Sequence, residues 1–278
     1  MTLVIALKQL ITKPLLGVLT YTCCALSASY ALEQASVSKS QISIIIDDVG
    51  AKASDARAFR LPSSVTFSIL PNTEYSTDYS FKAALQNREV MLHMPMESLQ
   101  PKALGEGPLL SGMYPQELKT SLLMALKTVP HAVGVNNHMG SKLTQMTLPM
   151  RTVMETLAQN NLFFVDSRTT RFTKAGLIAD EFGVNAATRQ VFLDHERNSA
   201  FIEEQFDALI RAARKNGKAI GIGHPYQETL NFLEHMLPKL PPDIEVITVS
   251  EYLQETNKFR INPMLVQNLP LHTVHTDE

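Results

Sequence analysis

The sequence predicts an α/β fold built from parallel strands, namely an irregular or incomplete (β/α) barrel, with an open parallel sheet as the alternative. Eight short apolar runs recur along the chain, with helix-period segments between most of them. Most of these runs are apolar throughout, which is typical of strands buried on both faces. The chain has 278 residues, of which 45% are hydrophobic, and this composition excludes a disordered chain and suits one domain of this kind.

The predicted elements follow one another in a regular order. We predict strands at residues 42–46, 65–70, 89–92, 132–135, 162–165, 190–193, 218–222 and 244–249. Helices are predicted at residues 73–86, 115–128, 147–160, 199–216 and 227–237. Pro115 suits the first turn of a helix, and Gly217 suits the end of one. The alternation of strands and helices with short joins implies parallel strands with right-handed crossovers.

Residues 1–31 have the order of a secretory signal peptide. Lys8 and Lys13 precede an apolar run, and small residues lead to a cleavage site after Ala31. The run is shorter than the ~20 residues of a spanning helix, so we expect cleavage, a periplasmic location and no stable membrane span in the mature protein. A polar linker at 32–40, a domain at 41–256 and a loose tail at 257–278 complete the predicted organisation.

Charge and cysteine content exclude further classes of protein. Lys and Arg number 25 against 27 Asp and Glu, and there is no basic block, which argues against a nucleic-acid partner. Cys23 and Cys24 are the only cysteines, and both lie in the predicted signal peptide. We therefore expect the mature protein to enter an oxidising compartment without disulfide bonds.

Polar side chains follow six of the apolar runs, at the point where each predicted strand ends. Because the carboxyl ends of parallel strands build the active site of such a fold, we expect these side chains to converge on one rim. One such pair would mean little, whereas six are hard to explain by solvation alone. The candidates are Asp47, Asp48, His93, Glu97, Asn137, His138, Asp166, Ser167, Arg168, Asp194 and His224.

Asp47 and Asp48 are adjacent carboxylates at the end of the first predicted strand. Two carboxylates this close need a cation or a shared proton. Adjacent side chains on a strand diverge, so one aspartate can bind a metal ion while the other faces the substrate or its attacking water. The alternative is that Asp48 caps a helix, which explains only one of the two.

His93 and His138 each follow an apolar run and, with Asp48, supply two nitrogens and one oxygen. Three protein ligands leave one coordination position open for water, as in catalytic zinc sites. We therefore expect a divalent metal ion, with zinc as the first candidate. Each histidine alone is better interpreted as a buried structural residue, and only their convergence favours a metal site. Glu97 is an alternative ligand or an outer partner of a histidine, and Pro95 predicts a turn in that stretch.

His224 lies beside glycines after the seventh predicted strand and suits a general acid, with a capping or core histidine as the alternative. Asp166 and Asp194 are expected to orient imidazoles or to contact substrate. Arg168 can pair with either carboxylate or be purely structural. Residues 195–196, a histidine and a glutamate, are weaker candidates because neighbouring side chains cannot all face inward.

Taken together, the motifs resemble the divergent polysaccharide deacetylase family, a branch related to the NodB-type carbohydrate esterases. The resemblance spans about residues 41–253 and rests on IDD at 46–48, HMPME at 93–97, NNHMGS at 136–141, DS at 166–167, LD at 193–194 and GHP at 223–225. Each motif alone is weak, and the set is specific. It implies a distorted (β/α) barrel with fewer than eight complete units and an envelope location.

The resemblance also implies roles for single residues. It makes Asp47 the catalytic base, Asp48 a metal ligand and His224 the general acid. The His-x-x-x-His motif of NodB-type enzymes is changed here, since Glu97 stands where the second histidine would be, and the Arg-x-Pro-Tyr motif is missing. We infer that His138 supplies the missing ligand.

The implied activity is metal-assisted removal of N-acetyl groups from an envelope polysaccharide or a peptidoglycan sugar. Asn137, Ser167 and the remaining candidates would contact the substrate or orient other residues, and the loop at 100–113 would choose the substrate. The first alternative is a non-catalytic envelope module that keeps the barrel and binds glycan or protein. The second is a phosphoesterase, disfavoured because no glycine-rich phosphate loop or Arg/Lys cluster accompanies the ligands.

Overall fold

A computed structural model describes residues 39–100 and 103–258. The predicted signal peptide at 1–31 and all but two residues of the predicted tail lie outside the described residues. Of the predicted linker, the described part is Lys39 and Ser40, and Ser40 already opens the first strand. No helix among the described residues is both long enough and apolar enough to cross a membrane.

The described chain alternates strands with helices, as the sequence predicts. The strands are β1 (Ser40–Val49), β2 (Thr66–Ile69), β3 (Val90–Met96), β4 (Ala132–Met139), β5 (Phe163–Asp166), β6 (Ala186–Thr188), β7 (Val191–Phe192), β8 (Lys218–Gly223) and β9 (Ile244–Val246). The α-helices are α1 (Ser76–Leu85), α2 (Pro115–Thr128), α3 (Thr147–Gln159), α4 (Ala175–Glu181), α5 (Ser199–Asn216), α6 (Gln227–Met236) and α7 (Val249–Lys258). Short 3₁₀ helices lie at Ala53–Arg60, Leu143–Gln145 and Leu237–Lys239.

All strand pairs in the sheet are parallel. The order is β6-β5-β4-β3-β2-β1-β8-β7, and β9 pairs with the beginning of β1. Helices connect most neighbouring strands, which is the arrangement of a (β/α) barrel with fewer than eight complete units. The predicted fold class is confirmed.

One short segment closes the barrel. The N–H of Arg189 donates to the carbonyl of Asp166 at the end of β5, and the N–H of the next residue, Gln190, donates to the carbonyl of Ile220 on β8. The segment from β6 to β7 therefore pairs with β5 in its first half and with β8 in its second half. We call the step at Arg189 and Gln190 the seam. It makes the barrel irregular, because no full-length strand fills this position.

Two apolar clusters explain why most strands are apolar throughout. The larger cluster packs the outward faces of the strands against the helices and includes Ile44, Leu92 and Phe164. The smaller one fills the barrel interior and includes Ile45, Ile220 and residues of α7. The start of α7 lies at the amino-terminal end of β3, where the backbone N–H of Val249 donates to Glu89. The other end of the interior is left for polar side chains.

The structure corrects several boundaries. β3 continues through Pro95 to Met96, so the turn predicted at Pro95 is wrong; the fixed φ of proline is compatible with an extended strand, and its carbonyl accepts a hydrogen bond from the N–H of Leu109. β4 continues to Met139, so His138 lies within the strand rather than after it. Helix α4 and strand β6 were not predicted, because both are too short to show a clear period. Helix α7 was not predicted either: β9 ends at Val246, and Val249, the last residue of the predicted strand, begins the helix.

Candidate active site

A cavity of about 420 Å³ opens at the carboxyl ends of the barrel strands. The structure brings eight of the eleven candidates to its lining, namely Asp47, Asp48, His93, Asn137, His138, Ser167, Asp194 and His224. Glu97, Asp166 and Arg168 are not among the lining residues. The expected convergence of polar strand ends therefore exists, and it forms a concave site.

An irregularity in β1 places both aspartates in the cavity. The pairing of β1 with β2 shifts register between Ile46 and Val49, and Asp48 has a left-handed backbone with φ 59°. The carboxylates of both aspartates therefore face the same imidazole, with Nε2 of His93 at 3.6 Å from Asp47 Oδ2 and 3.2 Å from Asp48 Oδ1. The expectation that the two side chains diverge is wrong, because it assumed a regular strand.

Asp48 does not cap a helix. The 3₁₀ helix after β1 begins at Ala53, and the carboxylate of Asp55 accepts hydrogen bonds from the backbone N–H groups of Gly50 and Lys52. The capping interpretation of Asp48 is excluded, which leaves its carboxylate for the cavity.

Asp48, His93 and His138 bring three ligand atoms together. Oδ1 of Asp48 lies 3.0 Å from Nδ1 of His138 and 3.2 Å from Nε2 of His93, and the two imidazole nitrogens lie 3.1 Å apart. Oδ1 of Asp48 is buried, yet neither imidazole is oriented to give it a hydrogen bond, and no other described residue does so. The two imidazole nitrogens are within hydrogen-bonding distance of each other, so the three ligand atoms form one compact group.

This arrangement fits a divalent metal ion. Ligands bound at about 2.0–2.1 Å to one tetrahedral ion lie roughly 3.3 Å from each other, close to the observed separations. Two imidazole nitrogens and one carboxylate oxygen are a ligand set of catalytic zinc, and three protein ligands leave a position open. The buried, unpartnered Oδ1 of Asp48 is the observation that a cation would satisfy.

The two aspartates differ in their tendency to hold a proton. Burial acts to raise the pKa of Asp48, but the close imidazoles of His138 and His93 outweigh it and hold that pKa below the usual range of a carboxyl. For Asp47, burial dominates and raises the pKa, while the charges of His93 and His224 act in the opposite direction. Asp48 is thus suited to remain a charged ligand, and Asp47 to accept a proton.

Asn136 links Asp47 to His93. Its Nδ2 donates to Oδ1 of Asp47 at 2.8 Å, so its Oδ1 faces the other way and lies 2.7 Å from Nδ1 of His93 and 2.5 Å from Oγ of Ser68. Because a carbonyl oxygen only accepts, Nδ1 of His93 carries a hydrogen, and in the neutral ring Nε2 keeps the lone pair that faces Asp48. Asn136 therefore selects the tautomer in which His93 can bind a metal ion. Burial acts to lower the pKa of His93, but the neighbouring Asp47 and Asp48 outweigh it and raise that pKa to about 9, so a metal ion bound at Nε2 displaces a proton.

His224 is held by Asp194. The carboxylate of Asp194 lies 2.9 Å from Nδ1 of His224 and accepts hydrogen bonds from the backbone N–H of His224 and from the hydroxyl of Thr229. Nε2 of His224 is left facing the cavity, 3.8 Å from Oδ2 of Asp48. A Cβ on Gly223 would lie 3.2 Å from the same Asp194 carboxylate, so glycine allows this close approach.

The contact between Asp194 and His224 favours the protonated form of the imidazole. Burial acts to lower the pKa of His224, but the hydrogen bond and the charge of Asp194 outweigh it, and the net direction is upward. A histidine held in this way can donate a proton from Nε2. The orienting role expected of Asp194 is therefore the one its contacts support.

The family profile described as Divergent polysaccharide deacetylase matches residues 44–253. The chain belongs to this family. The match contains all eleven candidates and the cavity, so the resemblance seen in the motifs is confirmed. The matched region begins in β1 and ends in α7.

Two similar sequences share most of the domain. The uncharacterized protein YibQ of Escherichia coli (strain K12) is 38% identical over 216 residues, which cover 77% of this chain and 68% of that protein. An uncharacterized protein of Haemophilus influenzae (strain ATCC 51907 / DSM 11121 / KW20 / Rd) is 38% identical over 213 residues, covering 76% of each chain.

A solved structure shows the same fold. The crystal structure of the uncharacterized protein ATU2773 from Agrobacterium tumefaciens C58 superimposes with a TM-score of 0.75 at 23% sequence identity. The superposition covers 77% of this chain and 89% of that chain. The barrel of this family member is therefore an architecture already seen in a crystal.

Glu97 is not a ligand in this arrangement. Its carboxylate contacts Nζ of Lys142 at 2.7 Å and accepts a hydrogen bond from the backbone N–H of Ser111. Burial acts to raise its pKa, but the bonds from Lys142 and Ser111 outweigh it and lower the pKa to about 2. Glu97 binds the loop between β3 and α2 to the segment after β4, and neither suggested role, ligand or partner of a histidine, is observed.

Two further candidates bind backbone groups near the cavity, and a third has an exposed side chain. Asn137 accepts a hydrogen bond from the N–H of Ser167 and donates to the carbonyl of Met139. Asp166 accepts from the backbone N–H of Arg168 and touches no imidazole. The side chain of Arg168 is exposed, and within the described residues it forms no ion pair with Asp166 or Asp194, so the suggested pairing is not observed.

Sequence reasoning missed several cavity residues. Arg189, Phe192, Arg197 and Tyr226 line the cavity, and Asn136 stands behind it. The arginines contradict the expectation that no basic cluster accompanies the ligands. Asn136 could have been selected by strand periodicity, because it lies two residues before His138 and therefore on the same face of β4. Residue 195 also lines the cavity, whereas residue 196 does not.

Proposed function

We propose that this protein is a metal-dependent hydrolase that removes N-acetyl groups from an envelope polysaccharide or a peptidoglycan-type sugar. One observation carries the proposal: Asp48, His93 and His138 bring three ligand atoms together, with Asp47 and His224 beside them in the same cavity. This is the set of parts that metal-assisted amide hydrolysis needs, namely a cation site, a base and an acid.

The cation site would be formed by Asp48, His93 and His138, and zinc is the ion that this ligand set favours. A divalent ion bound there supplies positive charge, which polarises a carbonyl group and makes water more acidic. Asn136 fixes the His93 tautomer that such binding requires.

Asp47 and His224 divide the proton transfers. Asp47 takes a proton from the attacking water, whose oxygen forms a bond to the carbonyl carbon of the acetamido group. His224 gives a proton from Nε2 to the sugar nitrogen as the C–N bond breaks, and acetate and a free amine leave. The bonds from Asn136 to Asp47 and from Asp194 to His224 hold both groups in place while this happens.

The location is part of the same proposal. The basic, apolar and small-residue order of residues 1–31 supports export to the periplasm, where an envelope sugar would be met. Cell fractionation tests this, with the protein expected in the soluble periplasmic fraction and shortened by 31 residues. Recovery at full length with the membranes would refute the cleavage.

The decisive experiment measures metal content and acetate release together. The purified protein is expected to hold about one equivalent of zinc or a similar ion, and Asp48→Ala and His138→Ala are expected to lose it. Asp47→Asn is expected to keep the metal and to lose about 10²–10⁴-fold in activity on N-acetylated oligosaccharides. His131→Ala is the matched control, because His131 precedes the other end of β4, away from the cavity.

Each failure has a definite meaning. Folded protein that takes up no offered zinc and releases no acetate would overturn the hydrolase and favour the non-catalytic binding module. Metal-dependent cleavage of a phosphoester, without release of acetate, would favour the phosphoesterase. Loss of metal from His131→Ala as readily as from His138→Ala would show that the site has been assigned to the wrong residues.

A further inference from the structure

The cavity has a basic side that the reaction described above does not use. Arg189 lies at the seam and Arg197 lies just before helix α5, and both line the cavity with Ser167. In the order of strands around the barrel, the seam lies between β5 and β8, across from β2 and β3. The basic side is therefore separate from the position of His93 on β3.

The guanidinium of Arg189 has only neutral hydrogen-bond partners. Its Nε donates to the carbonyl of Ser167 and its Nη2 to the carbonyl of Arg168, at 2.7 and 3.2 Å. These bonds use two of the five N–H groups of a guanidinium. No carboxylate of a described residue forms an ion pair with it. Burial lowers the pKa of Arg189, although the more distant charges of Asp47 and Asp166 act in the opposite direction.

Ser167 adds an unused hydroxyl at the same place. Its side chain is 6% exposed, it lines the cavity, and its Oγ has no hydrogen-bond partner among the described residues. A buried hydroxyl without a partner costs free energy, so a ligand that accepts its hydrogen bond gains affinity. The hydroxyl belongs to the same residue whose carbonyl holds Arg189 in position.

Arg197 approaches the cavity stacked on an aromatic ring. Its guanidinium carbon lies 3.7 Å from the centroid of the Tyr226 ring, and that ring stacks in turn on His224, with centroids 5.2 Å apart. Stacking uses the flat face of a guanidinium, and the N–H groups in its plane are those that recognise carboxylate or phosphate. Tyr226 thereby places a positive charge next to the proposed general acid.

What sets Arg189 and Arg197 apart from the other arginines of the described residues is their place in the cavity. Arg88 is also buried without an ion pair, but it lies away from the cavity and donates hydrogen bonds to backbone carbonyls. Arg57, Arg151 and Arg214 lie on the surface, and each forms an ion pair with a glutamate or aspartate. Arg189 and Arg197 face a concave site and have no such partner among the described residues. An acidic group on a bound ligand is the simplest ion-pair partner for these two guanidinium groups.

We propose that the substrate is an N-acetylated sugar that carries an acidic substituent, a carboxylate or a phosphate, which Arg189, Arg197 and the hydroxyl of Ser167 bind while the acetamido group lies at the metal ligands. This inference rests on the proposed function for the reaction, but the acidic subsite itself does not depend on turnover. The subsite selects acidic sugars over neutral ones of the same size.

Calorimetric binding to the purified full chain tests the subsite directly. The probes are N-acetylglucosamine, N-acetylmuramic acid for the carboxylate and N-acetylglucosamine 6-phosphate for the phosphate. We expect at least one acidic sugar to bind about tenfold or more tightly than the neutral one. The titrations are repeated with a chelator present, so that a bound metal ion cannot hold the acidic group.

The variants distinguish the arginines from general charge effects. Arg189→Gln and Arg197→Gln are each expected to reduce the preference for the acidic sugar about tenfold, and Arg211→Gln, an exposed arginine outside the cavity, is expected to keep it. Arg197 is exposed, so its replacement tests the proposal even if Arg189→Gln fails to fold. Arg189→Lys keeps the positive charge but lacks the planar guanidinium group. It is expected to retain more of the preference for the acidic sugar than Arg189→Gln.

The outcomes separate this inference from the proposed function. A preference for the carboxylate or the phosphate that both arginine variants lose supports the subsite and identifies its group. Equal binding of neutral and acidic sugars, or a preference that both variants keep, overturns it. Acetate release together with equal binding of neutral and acidic sugars overturns the inference and leaves the hydrolase standing, whereas arginine-dependent binding without acetate release does the reverse.

Discussion

Replacing Asn136 with alanine is expected to weaken the fold and the metal site together. The Asn136 side chain is fully buried and connects Ser68, His93 and Asp47 through contacts of 2.5, 2.7 and 2.8 Å. Removing it leaves a hydroxyl, an imidazole N–H and a carboxylate oxygen without this partner. One side chain thus supports three other groups, two of which belong to the proposed chemistry.

The size of the effect follows from these three contacts. A buried polar group left without its partner costs about 1–3 kcal/mol, so three of them sum to roughly 3–9 kcal/mol. Water entering the vacated space recovers part of this loss. We therefore expect Asn136→Ala to lower the free energy of unfolding by about 3–4 kcal/mol, which a domain with the usual 5–15 kcal/mol survives. Zinc affinity is expected to fall about 10–100-fold, because His93 loses the group that fixes its tautomer.

Urea unfolding with a chelator present measures the first effect, and zinc titration of the folded protein measures the second. Asn137→Ala is the matched control, since Asn137 is the adjacent buried asparagine and bonds only to backbone groups. We expect the Asn137→Ala variant to be less stable than the parent protein but to bind zinc with nearly the same affinity. Ser68→Ala removes one contact of the three and is expected to cost about 1 kcal/mol.

Two results would refute this reasoning. A loss of less than about 1 kcal/mol for Asn136→Ala would show that the three contacts do not contribute as their burial implies. Equal loss of zinc affinity in Asn136→Ala and Asn137→Ala would show that the effect arises from general loosening of β4 rather than from the orientation of His93.

Three further predictions follow from single contacts. Asp194→Asn should lower kcat for acetate release about 10²-fold with little change in KM, because His224 loses its orienting carboxylate; an unchanged kcat would contradict the role of His224. Glu97→Gln should keep the bound metal and lose stability at neutral pH. Since the folded-state pKa of Glu97 is lowered from 4.5 to about 2, the difference in unfolding free energy between Glu97→Gln and the parent protein should shrink as the pH falls through that interval. A difference that does not change with pH would contradict this explanation. Gly134→Ala should destabilise by about 1–3 kcal/mol in thermal unfolding, because its Cβ would overlap the Phe163 ring; an unchanged Tm would show that the ring moves freely.

The convergence of polar residues could be predicted from the sequence because it depends only on topology. Asp48, His93 and His138 each end or follow an apolar run, and parallel strands deliver such positions to one end of a barrel. The same reasoning found Asp194 and His224. No knowledge of side-chain packing was needed for any of these residues.

What could not be predicted depends on departures from regular geometry. A strand with strict alternation cannot direct Asp47 and Asp48 at one imidazole, and the register shift that allows it leaves no clear mark in the sequence. Arg189 lies in a step of two residues between short strands, where an arginine is ordinarily solvated. Its place in the cavity follows from how the barrel closes, which is a property of the whole sheet.

The unequal pairing around the barrel has a consequence for how the site accommodates a substrate. β3 and β4 are paired from Val90 to Met96, whereas β7 is paired with β8 only at Val191 and Phe192. Local separation of paired strands should therefore occur mainly at the seam, where few hydrogen bonds must break. The strands that carry the proposed metal ligands should stay paired. We therefore expect the side of the cavity at β3 and β4 to keep its distances fixed and the side at the seam to adjust to ligands of different shape.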